Sequence, residues 1–170
     1  KFVPLAEETG LIVGLDDQIM RNAVTTRASL PVTRVGQDFR FWINISARHF
    51  SRAHPTARLS ELLDRVGCDP MMIGIELTET AVLNDVDAAA SEISAARALG
   101  VKVALDDFGV GHLSLSLLRS LPIDRVKIDR AFIANVNQNR RDYAIVRNVL
   151  TLAHDLGQLA CAGAAPQIDL

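Results

Sequence analysis

Apolar positions along the chain recur in two alternating rhythms. Leu11, Leu15, Ile19 and Ala23 stand four residues apart with Asp16, Asp17, Arg21 and Arg27 between them, which predicts an amphipathic helix from Leu11 to Leu30. Pro31 and the Gly36-Gln37-Asp38 cluster close it. Phe39-Arg40-Phe41-Trp42-Ile43-Asn44-Ile45, rich in aromatic and β-branched residues, then reads as a strand. Pro55 opens a second helix with Leu59, Leu62, Leu63 and Val66 on one face and Gly67 as its stop. The same order returns: a strand at Met72 to Leu77, a helix from Val86 to Leu99 stopped by Gly100, and a strand at Val101 to Leu105. Asp106 and Asp107 lead into a glycine loop, and a short helix carrying Leu115, Leu117 and Leu118 ends before Pro122. A strand follows at Asp124 to Ile128, then a helix from Arg141 to Leu156 stopped by Gly157, and Gln158 to Cys161 is a fifth strand candidate.

Strands and helices alternating every ~30 residues build parallel sheets through right-handed crossovers, so the fold class is α/β. Five strands fit an open doubly wound sheet or an incomplete eight-stranded barrel. The recurrence is of element type and not of sequence, so no internal repeat is implied.

Composition narrows the function classes. The chain has 170 residues, enough for one domain with a core of its own, without disulfides or structural zinc. Its 18 basic and 20 acidic residues are mixed along the chain, which argues against DNA or RNA held by phosphate neutralisation. No apolar run reaches the ~20 residues of a membrane span, and the N-terminus lacks a signal-peptide pattern. Cys68 and Cys161 are lone thiols, and a cytoplasmic location is expected. The sequence starts at Lys1 inside what reads as a folded segment, so an excised or truncated domain is expected.

In both architectures ligands gather at the carboxyl ends of the strands. Those ends carry Asn44, then Glu76, then Asp106-Asp107, then Lys127 and Asp129. A charge within an apolar parallel strand is costly unless it is paired, neutralised or bound to metal. Glu76 and Lys127 could form a purely structural internal salt bridge. Four successive strands delivering such groups to one rim point instead to hard oxygen ligands for Mg²⁺ or Mn²⁺ and to metal-assisted phosphoester hydrolysis. In that chemistry Lys127 holds an attacking hydroxide or stabilises transition-state charge. Acidic strand ends with a lysine also suit a phosphatase or phospho-receiver on an open sheet. His49, His54, His112 and His154 lack metal-ligand spacing and read as surface or satisfied core residues, and Arg140-Arg141 as a solvated helix end. Gly109-Val110-Gly111 lacks the third glycine of a dinucleotide fingerprint.

Phe2-Val3-Pro4-Leu5-Ala6-Glu7-Glu8-Thr9-Gly10-Leu11-Ile12, Asn44-Ile45-Ser46-Ala47-Arg48, Glu76-Leu77-Thr78-Glu79-Thr80, Asp106-Asp107-Phe108-Gly109 and Lys127-Ile128-Asp129-Arg130 occur in the order and at the intervals of the EAL-domain family, which the chain resembles from Lys1 to about Ala160. The resemblance implies part of a modified (β/α)₈ TIM-type barrel, a single partial domain over residues 1–170 with a divergent tail from 161. It further implies hydrolysis of the bacterial second messenger cyclic di-GMP to the linear dinucleotide with two Mg²⁺ or Mn²⁺ ions, in a parent that can carry sensor or GGDEF-type domains. By motif, Asn44, Glu76 and Asp106 resemble ligands of one metal and Asp107 a ligand of the second. Lys127 resembles the residue orienting the attacking water, and Glu79 the glutamate that props the loop after Asp107.

The sequence departs from the family at several points. The Glu-Ala-Leu signature, which the family's spacing would place just upstream of Lys1, is absent from this sequence, and Ala162-Gly163-Ala164-Ala165 stands where the family has Glu-Gly-Val-Glu. In the loop, Val110, His112 and Leu113 replace the family's Thr or Ala, Tyr and Ser, which bears on loop-mediated dimerisation. The expectation is weak or absent turnover, with an inactive module binding cyclic di-GMP or a protein partner as the alternative. Exposed sheet edges in an open barrel predict self-association.

Overall fold

A computed structural model describes residues 2–31, 36, 39–52, 54–109 and 114–163. Two helices lead the chain, α1 (Val3–Thr9) and α2 (Ile12–Ser29). Then come β1 (Phe41–Ile45), α3 (Ala47–Arg52), α4 (Pro55–Val66), a 3₁₀ turn at Pro70–Met72, β2 (Ile73–Thr78), α5 (Glu79–Asn84) and α6 (Val86–Ala98). The remainder is β3 (Lys102–Phe108), α7 (Leu115–Ser120), β4 (Arg125–Asp129), α8 (Arg130–Ala134), α9 (Arg140–Asp155) and β5 (Leu159–Gly163). The expected alternation is present, with three short helices, α3, α5 and α8, placed immediately after strands where no helix was expected.

The strands form one parallel sheet in the order β1-β2-β3-β4-β5, each beside its neighbour in sequence. That order is the wall of a barrel and differs from a doubly wound sheet, whose strand order reverses at a switch point.

The two faces of the sheet differ in chemistry because side chains alternate along each strand. Ile43, Ile45, Ile73, Ile75, Leu77, Val103, Leu105, Val126 and Ile128 are buried, in one cluster with Met20 and Val24 of α2, Leu59 and Leu62 of α4, Ile93 of α6 and Val149 of α9. This is the core. The opposite face carries Trp42, Asn44, Gly74, Glu76, Ala104, Asp106, Arg125 and Lys127, a mixture that no helix period could have produced.

Helix ends follow local rules. Thr78 Oγ1 accepts from Ala81 N–H at 3.3 Å, Asp85 Oδ1 from Ala88 N–H at 3.0 Å and Ser114 Oγ from Leu117 N–H at 3.2 Å, each satisfying a first-turn amide. Gly67, at φ 64°, ends α4 in the left-handed region that glycine occupies without steric cost.

Strand β3 was expected to stop at Leu105, with Asp106 and Asp107 outside it. It runs on to Phe108, and its pairing with β4 shifts between Leu105 and Phe108. The shift matters for function because it falls on the two aspartates.

Candidate functional site

Glu76 is held at the rim by the geometry of β2. Its neighbours Ile75 and Leu77 point into the helix-covered core, so the pleat turns Glu76 to the other face, beside Asn44 of β1 and Ala104 of β3. Asp106 lies on the same face two residues beyond Ala104. Lys127 of β4 reaches both carboxylates: its Nζ donates to Glu76 Oε2 at 2.7 Å and to Asp106 Oδ2 at 2.8 Å. The Lys127, Glu76 and Asp106 side chains are 18%, 8% and 16% exposed, so the charges interact in a medium well below the dielectric of water.

The titration of this cluster follows from burial and pairing. Burial lifts the Glu76 carboxyl above the usual glutamate range, against the opposing hydrogen bond and charge of Lys127. For Lys127 burial acts the other way and favours the neutral amine, but the hydrogen bonds to Asp106 and Glu76 outweigh it and raise the pKa above that of a free lysine. The ammonium is therefore secure at neutral pH.

Asp107 adopts φ 55°, a left-handed conformation uncommon for a side-chain-bearing residue, and its N–H donates to Asp106 Oδ1 at 3.0 Å. This turn lets two consecutive aspartates both stay at the rim instead of alternating faces. Desolvation raises the Asp107 carboxyl above the usual aspartate range, followed by the negative charges of Asp106 and Asp129, against the opposing charge of Lys127. Glu79, at the start of α5 and 3% exposed, accepts the Gly109 N–H at 3.2 Å through Oε2 and so fixes the chain just past the aspartates.

The donor chemistry fits a hard divalent cation. Asn44, Glu76, Asp106 and Asp107 offer only oxygen to such an ion, and the Lys127 ammonium already stands as a cation between Glu76 and Asp106. Among the described residues no group of three or more His, Cys, Asp or Glu side chains is drawn together as a metal centre; Asn44 pairs in register with Glu76 on the same face.

The profile of the EAL domain family matches residues 1–163. The chain belongs to the EAL domain family. Cyclic di-GMP phosphodiesterase NbdA of Pseudomonas aeruginosa is 33% identical over 156 residues, covering 92% of this chain and 20% of that protein. Among solved structures, PaMucR phosphodiesterase in complex with c-di-GMP superposes with a TM-score of 0.88 at 32% identity, over 98% of this chain and 67% of the other. The manganese and cyclic di-GMP complex of Klebsiella pneumoniae BlrP1 matches with a TM-score of 0.75 at 26% identity, over 88% of this chain and 38% of the other. The chain spans about a fifth of the length of the curated relatives it matches.

Within this EAL domain the expected site residues converge. Asn44, Glu76, Asp106, Asp107 and Lys127 share one rim, and Glu79 stands behind it. Sequence reasoning named Asp129 at the strand ends without giving it a role, and left Cys161 out of the site. The negative charge of Asp129 bears on Asp107, and Cys161 pairs in register with Lys127, where burial raises its thiol pKa. The replaced family glutamate was placed at Ala162, but Ala162 pairs with Ile128, whereas Cys161 and Gly163 pair with Lys127 and Asp129 on the site's face. Gly163 is thus the β5 position at the rim.

The described histidines lie away from this rim. His49 is 1% exposed, with Nδ1 3.4 Å from Asp16 and Nε2 3.7 Å from Asp17, and its Nδ1 makes no hydrogen bond, so it is not the satisfied core residue expected. His54 meets Glu92 at 2.9 Å, and the His154 side chain is 91% exposed. Val110, His112 and Leu113, like Ala164 and Ala165, lie outside the described residues. No helix among the described residues is long and apolar enough to cross a membrane.

Proposed function

We propose that this EAL domain hydrolyses cyclic di-GMP to the linear dinucleotide with the help of Mg²⁺ or Mn²⁺. The observation that carries the reading is the Lys127 bridge to Glu76 at 2.7 Å and Asp106 at 2.8 Å, three ionised groups from adjacent strands gathered on the rim that also bears Asn44. The substrate class comes from relatives: NbdA is named for this activity, and the PaMucR phosphodiesterase structure contains c-di-GMP.

Asn44, Glu76 and Asp106 would hold one ion, with Asp107 available to a second. When bound, such an ion supplies Lewis acidity at a phosphoryl oxygen and makes water a competent nucleophile near neutral pH. In the reaction, water oxygen bonds to one phosphorus, the bond from that phosphorus to a ribose oxygen breaks, and the ring opens. Lys127, kept protonated by its two carboxylates, orients the incoming oxygen and offsets negative charge that grows at the phosphorus. Glu79 acts at one remove, because its bond to Gly109 N–H sets the position of the Asp106-Asp107 segment.

Binding of cyclic di-GMP without turnover is the second reading, favoured by a β5 rim that offers Cys161 and Gly163 where a carboxylate would strengthen the site. Chromatography of cyclic di-GMP incubated with the protein and excess Mn²⁺ separates the two. Hydrolysis is expected to yield linear dinucleotide, with a loss of about 10²-fold or more in Glu76→Ala. Nucleotide binding by calorimetry without product supports the second reading, and neither binding nor product refutes both.

A further inference from the structure

Helix α2 turns one row of side chains, Ile12, Asp16, Met20, Val24 and Arg27, into the protein. Steps of four and three residues place them on one face, and at Asp16 that face carries a carboxylate only 4% exposed. Burying a carboxylate is costly unless donors meet its charge, and an apolar side chain would continue the row without that cost. Packing alone does not account for Asp16.

The carboxylate meets the turn that leaves β1. Asp16 Oδ2 accepts the Ser46 N–H at 2.9 Å, and Ser46 stands two residues beyond Asn44, just past the end of the strand. His49 of α3 closes the arrangement from the other side: its N–H donates to Ser46 Oγ at 3.3 Å, and its ring Nδ1 lies 3.4 Å from the same Asp16 Oδ2. The pattern repeats one found at β3, where buried Glu79 accepts the Gly109 N–H, two residues beyond Asp107. Two buried carboxylates from different helices thus each hold a backbone amide two residues past a rim residue.

We propose that Asp16 is a positioning residue for Asn44: by holding the Ser46 amide it fixes the backbone that carries the Asn44 side chain, and so the aim of that side chain's oxygen. The inference rests on the reading of the rim as a divalent-cation site. A carboxylate accepts a hydrogen bond more strongly than a neutral hydroxyl does, so it restrains the turn more firmly than a serine or threonine cap would. Lys127 aligns Glu76 and Asp106 by direct bonds; for Asn44 the restraint comes through the backbone instead. Groups that orient a metal ligand without touching the ion commonly contribute about ten- to a hundredfold in affinity.

The test compares Asp16→Leu, which continues the apolar row, with Asp16→Asn, which keeps an acceptor of similar size, by NMR of the metal-free protein. In Asp16→Leu the Ser46 amide is expected to exchange about tenfold faster or more, and the Asn44 side-chain NH2 resonances to move; Asp16→Asn stays close to wild type in both. Glu92→Leu is the control, because Glu92 is also buried and accepts a backbone amide, the Thr56 N–H at 3.2 Å, on the far side of α4 from no rim partner of its own. It leaves the Asn44 signals in place. Mn²⁺ titration followed by electron paramagnetic resonance adds a second readout, with the apparent Kd raised about tenfold or more in Asp16→Leu and unchanged in the other two variants. Asn44 signals that stay in place in Asp16→Leu, or move equally in Glu92→Leu, overturn the proposal. So does a Mn²⁺ Kd that Asp16→Leu leaves intact, or an Asp16→Asn spectrum no nearer wild type than that of Asp16→Leu. A wild-type protein that binds no Mn²⁺ refutes the cation reading of the rim instead, and the metal-free spectra still decide whether Asp16 positions Asn44.

Discussion

Removing the Lys127 ammonium tests whether the rim is a true charge cluster. In Lys127→Met the side chain keeps its length and apolar stem, but Glu76 Oε2 and Asp106 Oδ2 lose donors at 2.7 Å and 2.8 Å. At an effective dielectric of about 20, each contact of that length represents roughly 6 kcal/mol of Coulomb attraction, much of it offset by the desolvation of the ions. Breaking a buried pair by deleting one partner costs about 3–5 kcal/mol, and the lower end applies here because all three side chains keep some solvent contact. The loss depends on pH. Glu76 has a folded pKa already above its ordinary value, and both influences of Lys127 on it act downward, so the substitution raises it further. A carboxyl with a raised folded pKa contributes stability below its unfolded pKa and loses it as pH rises through the folded value. Lys127→Met is therefore expected to be destabilised by about 3 kcal/mol at pH 8, and to recover part of that at pH 5 as Glu76 takes up a proton. With a urea slope of about 2 kcal/mol/M the midpoint falls by about 1.5 M at the higher pH. Urea denaturation of both proteins at the two pH values measures this. An equal shift at pH 5 and pH 8, or none at either, refutes the charge argument.

Other substitutions probe the elements that support the rim. Wild-type stability should fall above pH 10.5, because Lys127 has a raised folded pKa whose contribution is fully present below the unfolded value and lost as pH rises through the folded one; thermal denaturation across that range, compared with Lys127→Met, isolates it. Gly74→Ala should cost about 1–3 kcal/mol and alter Trp42 emission, since the new methyl overpacks the indole. Glu79→Ala should speed hydrogen exchange at the Gly109 amide, while Glu79→Gln, which keeps an acceptor there, should leave it close to wild type. Mn²⁺ at 100 times its Kd should stabilise the fold by about 2.7 kcal/mol in thermal shift, and Glu76→Gln should remove most of that gain.

Much of the rim was legible because strand ends are where the two periodicities change hands. Asn44, Glu76 and Asp106 each follow a β-branched or apolar stretch and Lys127 stands between Val126 and Ile128, so a polar residue there is anomalous in the sequence itself, and topology then gathers the anomalies at one end of a parallel sheet. The short helices α3, α5 and α8 were not legible. At five or six residues each is less than two turns, too short for a 3.6-residue period to be seen, and α5 and α8 are set by caps at Thr78 and Asp129. The end of β3 was misread for a different reason: Asp106-Asp107 looks like the start of a loop by composition, yet Phe108 is buried against β4 and carries the strand through both aspartates. Nor could sequence supply the φ of 55° at Asp107, a tertiary outcome that puts two adjacent carboxylates on one side of the sheet.

The same distinction explains why β5 was misplaced by a residue. In a run of small residues such as Leu159-Ala160-Cys161-Ala162-Gly163, no hydrophobic contrast says which positions point to the site, and only pairing with β4 does. That pairing sets Cys161 beside Lys127, which sequence left between two roles, salt bridge or reaction partner. The two roles are compatible. The ammonium bonds two carboxylates from different strands, and in the proposed reaction it also offsets the charge that develops at the phosphodiester. The two roles separate only by titration: the first predicts the pH-dependent stability loss of Lys127→Met, and the second predicts loss of turnover at a pH where that variant is still folded.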